Sequence, residues 1–483
     1  MKTARQKMVV LCMSLLFALF FTGCGPAAPT AGRQTERSYM NYTGPVLPLT
    51  VQGSAAGITA VRNVEFDFSP YASADSGFRD ETIVTDSYIL TNETGQEKSL
   101  RLLYPFAGDM QQLHYYPTVS VNGKPVSVML HPGPYAGSFR GAVGAEDEQT
   151  GSLNMAPPDC YDRYAALLSD DVYQAAALDA FPDLDQTAYV YRLHDYVYSR
   201  TTERVNPTLS MDFYIDYEKT HVLSYGMNGA SSDPETGFCS RRKGGIEHRP
   251  NASPDSRHPA DGYVILLGED IQTYTMQGYK DGGCDPGEEL DDISCTVTRY
   301  EMPLREILSQ LLAQTEGTTI AQMEEALSDR MTIAQPSAQD LYLDLLAELL
   351  HTYGTMGSSP VERYATGWLE ELFASVCSDD RVIYLSFEAT IPAGAQLEVA
   401  ATTCRPASEN YTGPDKERKG NDMATCLGSN LTFTSQTASV LNGDQIEILD
   451  QNFGFNLKSG TTKVDLDMTR GNYWMKVRKR SET

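Results

Sequence analysis

The residues best suited to binding chemistry form a basic cluster in an otherwise acidic chain. The cluster lies within residues 229–261, a stretch rich in Gly, Ser, Pro, Asn and Arg that predicts a long loop. We favour a solvated linker, because little apolar material would hold such a loop rigid. An anion-binding loop for a wall polymer is the alternative, since arginine pairs well with carboxylate and phosphate groups. The cluster consists of Arg241, Arg242, Lys243, His248, Arg249, Arg257 and His258.

Motifs for catalysis are missing from the sequence. It contains no His-Glu-x-x-His zinc motif, no P-loop, no Gly-x-Ser-x-Gly turn and no Gly-x-Gly-x-x-Gly loop. None of the seven histidines has another histidine four residues away. The 64 Asp and Glu residues guarantee that some carboxylates lie close together, so such pairs alone indicate nothing. The sequence therefore predicts no catalytic residue, no metal ligand and no cofactor.

The densest acidic segment runs from Asp281 to Asp292. Its carboxylate spacing matches that of an EF-hand calcium loop only in part. Pro286 stands where the EF-hand requires glycine, and position twelve is Asp292 instead of glutamate. We therefore favour a solvated acidic loop, with calcium binding as the alternative.

Nine cysteines are scattered along the chain without a Cys-x-x-Cys motif. This spacing is not that of a disulfide framework or a zinc ribbon. Two local pairs are nevertheless candidate disulfides if the chain is exported, Cys284 with Cys295 and Cys404 with Cys426.

The N-terminal residues have the three-part layout of a secretory signal. A basic start is followed by an apolar run from Met8 to Phe21, interrupted by Ser14. This run is shorter than the roughly 20 apolar residues that span a bilayer. The basic residues are Lys2, Arg5 and Lys7.

The tetrapeptide Phe21-Thr22-Gly23-Cys24 follows this run directly. Together the two segments resemble the signal peptide and lipobox of bacterial lipoprotein precursors. The resemblance implies that residues 1–23 are removed and that Cys24 is lipidated, which anchors the chain at the extracytoplasmic face of the cell membrane. Residues 24–54 then form a flexible tether. The alternatives are an ordinary cleaved signal with an incidental cysteine and an uncleaved anchor.

The charge of the chain limits its partners. A formal net charge of −26 argues against nucleic acid and against unaided docking on anionic lipids, since both require positive patches. At 41% hydrophobic residues, the chain can bury sizeable cores. The remaining partners are the membrane, through the lipid anchor, and a cell-wall polymer or surface protein.

Three regions carry the period-two pattern of β-strands: 55–135, 207–300 and 381–480. In the first, apolar residues alternate with polar ones, and Asn122-Gly123 predicts a tight hairpin. We therefore expect an N-terminal β-sandwich over 55–135 and further β regions over the other two. Strands of 381–480 are expected to pair with those of 207–275.

Two helical blocks interrupt these regions, at 155–203 and 301–377. In the second, Leu304, Ile307, Leu308, Leu311 and Leu312 form an apolar stripe at helical spacing. In the first, a second helix is expected over Thr187–Tyr198. The fold class is therefore α+β, with antiparallel β-sandwich-like domains interrupted by two helical blocks.

Three functions compete at this stage. The favoured one is a membrane-anchored, non-enzymatic binding or scaffolding module at the bacterial cell surface. The second is an extracytoplasmic hydrolase that acts on wall polysaccharide or peptide through carboxylates, which would require two convergent carboxylates about 5–9 Å apart. The third is a sensor or assembly factor that works through protein contacts.

Overall fold

The structure is a computed structural model that describes residues 44–72, 81–134, 168, 171–200, 206–247, 260–330, 337–357, 362–379, 381–409 and 419–480. These residues belong to one compact unit, Ser38–Thr483. Strands and helices occur in separate blocks, so the expected α+β fold class is confirmed. Within the described ranges, no helix has the length and apolar character needed to cross a bilayer.

The N-terminal region consists of strands, as its alternating pattern predicts. At the predicted hairpin, Asn122 and Gly123 both have positive φ angles, 49° and 72°, and Val121 lies opposite Lys124. The strands are β1 (Thr50–Val51), β2 (Ile58–Asp67), β3 (Glu81–Asn92), β4 (Lys98–Gly108), β5 (Thr118–Val121), β6 (Lys124–Pro125) and β7 (Met129–Pro132).

Among the described residues, the middle region contains one short helix and nine strands. The helix is α1 (Asp171–Leu178). The strands are β8 (Thr187–Val197), β9 (Thr208–Tyr214), β10 (His221–Tyr225), β11 (Gly229–Asp233), β12 (Phe238–Lys243), β13 (Gly262–Leu267), β14 (Tyr274–Tyr279), β15 (Glu289–Leu290) and β16 (Ser294–Pro303).

Two predictions for this region are wrong. The second helix of the 155–203 block is strand β8, which is buried on both faces: Val190 packs towards the helices and Leu193 towards another sheet. Burial on both faces removes the alternation that distinguishes a strand from a helix. The long loop 229–261 begins instead with the hairpin of β11 and β12, whose small and charged residues gave no strand pattern. Residues 155–167 lie outside the described ones.

The second helical block is confirmed from Leu304 onwards. Its first helix buries the predicted leucine stripe, and Ser337 caps a later helix by accepting a hydrogen bond from Asp340 N, 3.2 Å away. The helices are α2 (Leu304–Thr315), α3 (Gly317–Arg330), α4 (Ala338–Glu348), α5 (Glu362–Ala365) and α6 (Leu369–Ser378), with a π-helical turn at Leu349–Tyr353.

The C-terminal region consists of strands again, as predicted. They are β17 (Arg381–Ile391), β18 (Gln396–Pro406), β19 (Ser408–Glu409), β20 (Lys419–Cys426), β21 (Thr432–Leu441), β22 (Ile446–Gln451), β23 (Lys463–Asp465) and β24 (Asn472–Lys479).

The N-terminal and C-terminal strands share two sheets. One has the order β1-β4-β17-β7 and the other β23-β21-β2-β3-β18-β5-β6. The expected sandwich over 55–135 is therefore completed by later strands, with Leu385 opposite Tyr104 and Thr402 opposite Thr85. A third sheet, β19-β20-β24-β22, packs against one end of the seven-stranded sheet. The expectation that C-terminal strands pair with 207–275 is wrong.

The middle strands form a second sandwich. Sheet β10-β13-β8-β16 packs on sheet β11-β12-β9-β14-β15 through a core that includes Leu193, Val264, Met211 and Phe213. The opposite face of the first of these sheets packs on the helices, where Ile265 joins the leucine stripe in a common cluster. The helical block therefore lies between this sandwich and the terminal one.

Neither predicted disulfide is present. Cys284 lies in the turn between β14 and β15, whereas Cys295 lies on β16 of the other middle sheet. Cys404 lies on β18 of the seven-stranded sheet, and Cys426 on β20 of a different sheet. Pairs that are close in sequence are separated here because each partner belongs to a different sheet.

Candidate functional site

Strand β12 sends its three consecutive cations to different surroundings. Arg241 and Lys243 lie opposite Met211 and Leu209 of β9, so they share the face that packs inwards. Arg242 lies on the outer face, where its Nη1 donates to the Gly282 carbonyl at 2.8 Å. The Lys243 ammonium donates to the Gly226 carbonyl. The predicted cluster is therefore divided, and of these three cations Arg241 is among the lining residues of the cavity described below.

The other members of the predicted cluster lie outside the described residues. They are His248, Arg249, Arg257 and His258, and the predicted lipidation site Cys24 also lies outside. The candidate site is therefore built on Arg241 and the residues around it.

Arg241 lines a cavity of about 550 Å³ at the edge of the middle sandwich. Its walls come from β10, from the β11–β12 hairpin and from the segment that precedes α6. The lining includes two aromatic side chains, Tyr217 and Trp368, and the imidazole of His221. Five further lining residues carry hydroxyl groups: Thr220, Ser231, Ser232, Thr355 and Thr366.

Two glycines with left-handed backbone shape the walls. Gly237 (φ 78°) closes the hairpin, and its carbonyl accepts a hydrogen bond from Ile215 N at 2.9 Å. Gly367 (φ 73°) accepts from Ser224 N at 2.8 Å, which places Trp368 along the outer edge of β10. A Cβ atom on Gly367 would overlap with the Val222 carbonyl oxygen, so a side chain there would push this wall away.

The Arg241 side chain is only 6% exposed, yet its hydrogen bonding is incomplete. Its Nη1 donates to the Ser240 carbonyl at 3.0 Å and to Cys239 Sγ at 3.1 Å. Its Nε has no hydrogen-bond partner among the described residues. No described carboxylate lies within ion-pair distance of the guanidinium, and the lining residues include no Asp or Glu. A buried cation without a counter-charge is expensive in free energy.

Further polar atoms in the walls are also unpaired. Thr355 Oγ1 and Trp368 Nε1 are buried without a hydrogen-bond partner in the described part of the chain. The same holds for His351 Nε2, next to the cavity residue His221. Each such atom costs about 1–3 kcal/mol relative to a paired one. Three residues with such atoms, Arg241, Thr355 and Trp368, line the same cavity.

Three titratable groups around Arg241 are uncharged near neutral pH: the Cys239 thiol, the Tyr217 hydroxyl and the His221 imidazole. Burial raises the pKa of the Cys239 thiol, and it raises the pKa of the Tyr217 hydroxyl to about 12. Burial lowers the pKa of the His221 imidazole below its ordinary value. Arg241 is therefore the one charged side chain among the lining residues of this cavity near neutral pH.

No protein-family model matches the chain, and no curated protein is similar to it.

A second cavity of about 350 Å³ lies over β1 and β17, next to α1. Asp171 is the single carboxylate in its lining. The side chain of Asn430, also in the lining, is occupied by Thr50 Oγ1 at 2.7 Å and by Val51 N at 2.9 Å. Neither cavity therefore offers the two convergent carboxylates that the hydrolase interpretation requires.

The acidic segment 281–292 folds back towards the outer face of β12, where Gly282 accepts the hydrogen bond of Arg242. In the described part of the chain, no group of three potential metal ligands lies close enough to hold an ion.

Sequence reasoning identified Arg241 but missed its partners in the cavity. Trp368 lies within the predicted helical block 301–377, but it directly precedes α6 and reaches the cavity along the edge of β10. The turn Asp233-Pro-Glu-Thr-Gly237 was the signal that could have indicated the hairpin, since Gly at its end permits a positive φ. Thr355 and Trp368 carry no local signal, because only tertiary packing brings them to Arg241.

Proposed function

We propose that this protein is a membrane-anchored extracytoplasmic lipoprotein that binds a small anionic ligand in the Arg241 cavity and does not transform it. The observation that carries the proposal is a buried guanidinium that lines a cavity and has no carboxylate partner in the described residues. The chain has 64 acidic side chains for 38 basic ones, so an internal counter-ion was abundantly available. A ligand that brings its own negative charge accounts for the missing partner.

The unpaired edge of Arg241 is the one suited to a carboxylate or phosphate. A guanidinium can donate from Nε and Nη2 in parallel to two oxygens of one anion. Arg62 uses this edge for Asp86 in the same protein, with distances of 2.8 Å from Nε and 3.0 Å from Nη2. In Arg241 the described residues accept hydrogen bonds from Nη1, and Nε is buried without a partner among them, so an anion that reached Nε would complete the corresponding edge.

The proposed location rests on the N-terminal resemblance to lipoprotein precursors. A lipid at Cys24 and the tether after it would hold the binding body close to the outer surface of the membrane. There the ligand would be a component of the wall or a solute that passes through it. Partners are thus the membrane, through the anchor, and an anionic molecule, through Arg241.

The test is anion binding by the mature chain, measured by calorimetry and by thermal unfolding with sodium phosphate and sodium acetate. Binding stabilises the folded state by about 2.7 kcal/mol at about one hundred times Kd. We expect anions to raise the Tm of the wild type and to leave the Tm of Arg241→Gln unchanged.

Arg242→Gln is the matched control, because Arg242 is the neighbouring residue on the outer face of the same strand. It should respond to anions as the wild type does. Equal responses of the wild type and Arg241→Gln, or no response of either, would refute the proposal.

A further inference from the structure

The walls of the Arg241 cavity narrow the class of the ligand. We infer that the ligand is an acidic sugar, a pyranose ring with a carboxylate that pairs with Arg241 and hydroxyl groups that face the remaining walls. This inference rests on the proposed function and adds the chemistry of the part of the ligand that Arg241 does not contact.

The first argument is the size of the cavity relative to one anion. At about 550 Å³ it lies within the range of roughly 300–1,000 Å³ that is usual for small-molecule sites. A phosphate or acetate ion on Arg241 would leave most of this space to water. We therefore expect the ligand to have an uncharged part that fills this space, in addition to its anionic group.

The second argument is the polar character of the wall groups that surround the uncharged part of the ligand. Five Ser and Thr residues and Tyr217 give the lining six hydroxyl groups, and Thr355 Oγ1 and Trp368 Nε1 are buried and unpaired in the described part of the chain. An aliphatic or aromatic acid would leave these donors unsatisfied, which strongly disfavours such a ligand. A ring with several hydroxyl groups can satisfy them, because each hydroxyl both donates and accepts.

The third argument is the pair of aromatic side chains. Tyr217 and Trp368 line the cavity together with Arg241, and aromatic rings pack well on a partly apolar ring. Hydrogen bonds hold both in place. Tyr217 donates its hydroxyl hydrogen to the Phe238 carbonyl at 2.8 Å. Trp368 directly follows Gly367, whose carbonyl accepts a hydrogen bond from Ser224 N of β10. Aromatic walls, hydroxyl groups and one cation together match a sugar acid.

The experiment compares glucuronate and galacturonate with glucose, galactose and acetate by calorimetry. We expect the uronates to bind about tenfold or more tightly than acetate, as one or two added hydrogen bonds would produce. The neutral sugars should show no binding. Arg241→Gln should lose binding of uronate and acetate alike, whereas Trp368→Phe should weaken uronate binding and leave acetate binding unchanged.

Tryptophan fluorescence gives a second measurement, because the chain has only two tryptophans. In Trp474→Phe, Trp368 is the sole emitter, and its emission should shift as uronate saturates the site. In Trp368→Phe, the remaining emission of Trp474 should stay constant.

The outcomes separate this inference from the proposed function. Equal affinities for uronate and acetate would overturn the sugar assignment and leave anion binding by Arg241 intact. Glucose that binds as tightly as glucuronate would overturn both, since charge would then play no part. Loss of uronate binding in Trp474→Phe but not in Trp368→Phe would overturn the placement of the sugar in this cavity.

Discussion

Two buried arginines of this protein, Arg62 and Arg241, differ in how fully their guanidinium groups are paired. Arg62 lies between the two halves of the terminal core, where it bonds Asp86 at two points and also donates to the Cys426 carbonyl at 2.6 Å. Tyr88 donates a further hydrogen bond to Asp86 at 2.5 Å. Arg241 has no such counter-charge among the described residues. Arg62 is therefore part of a complete hydrogen-bond network, whereas the guanidinium of Arg241 is only partly hydrogen-bonded.

This contrast predicts opposite effects on stability. Arg62→Gln should lower the free energy of unfolding by about 3–5 kcal/mol, because it leaves Asp86 buried and unpaired. Arg241→Gln should leave that free energy unchanged or raise it, because it removes a charge that has no partner. Urea unfolding of the unliganded proteins measures both. A loss in Arg241→Gln as large as that in Arg62→Gln would mean that Arg241 is a structural residue.

His131 predicts a dependence of stability on acid. Burial, and then the nearby Arg101, lower the pKa of His131 from its ordinary 6.5 to about 4. Between these pH values the unfolded chain binds a proton that the folded one excludes. The stability due to neutral His131 is therefore complete above pH 6.5 and is lost as the pH falls towards 4, by about 1 kcal/mol, because solvent screens this partly exposed group.

The measurement is denaturant unfolding at pH 7, 5.5 and 4 for the wild type and His131→Gln. The variant should lose less stability than the wild type over this range. Some pH dependence should remain in it, because burial also lowers the pKa values of His221 and His351. Identical slopes for the two proteins would contradict the prediction.

At the scale of elements, the sequence patterns correctly predicted the features that interactions between nearby residues determine. The leucine stripe of α2 and the cap at Ser337 act within a few residues, and both are present in the structure. Strand β8 was missed because helices cover one of its faces and a sheet covers the other. The β11–β12 hairpin was missed because its residues are mostly small or charged and show no alternation of apolar and polar types.

In the candidate site, too, the sequence indicated the residue with a local signal and not the residues that tertiary packing brings to it. Arg241 stood out in the sequence because cations are scarce in this chain. Its surroundings could not be predicted, because Thr355 and Trp368 follow it by more than a hundred residues and reach it only through the packing of a helical block on a sheet edge.

Gly367 predicts how strongly the cavity depends on this edge contact. In Gly367→Ala the new Cβ would overlap with the Val222 carbonyl and lie 3.0 Å from Thr355 Cγ2, in a backbone conformation that favours glycine. We expect a loss of about 2 kcal/mol or more in unfolding free energy and a marked loss of ligand affinity. Urea unfolding and calorimetry measure these two effects.

Gly394→Ala is the control for backbone strain alone. Gly394 also has a positive φ, 66°, but a Cβ there meets nothing within 4 Å. This variant should lose about 1 kcal/mol and keep its ligand affinity. If both glycine variants bind ligand as the wild type does, the segment before α6 is not part of the site.

At the scale of the whole molecule, the anchor at Cys24 remains a prediction from the sequence. Cells labelled with palmitate should yield labelled wild-type protein in the membrane fraction. Cys24→Ser should carry no label and should be released or accumulate as uncleaved precursor. Cys160→Ser, which removes a cysteine far from the signal, should be labelled as the wild type is. Label that persists in Cys24→Ser would exclude lipidation at this position.

The shared terminal sheets have a consequence for how the protein is made. Strand β2 pairs in parallel with β21, where Thr59 lies opposite Thr432. This pair cannot form until the ribosome has synthesised the chain up to Thr432. At about 5–20 residues per second, this delay is on the order of 20 to 70 seconds. Until then β3 and β4 lack β18 and β17, so their edges could pair with other chains. Protection of the nascent chain during this interval, more than the final stability of the sandwich, would then set the yield of folded protein.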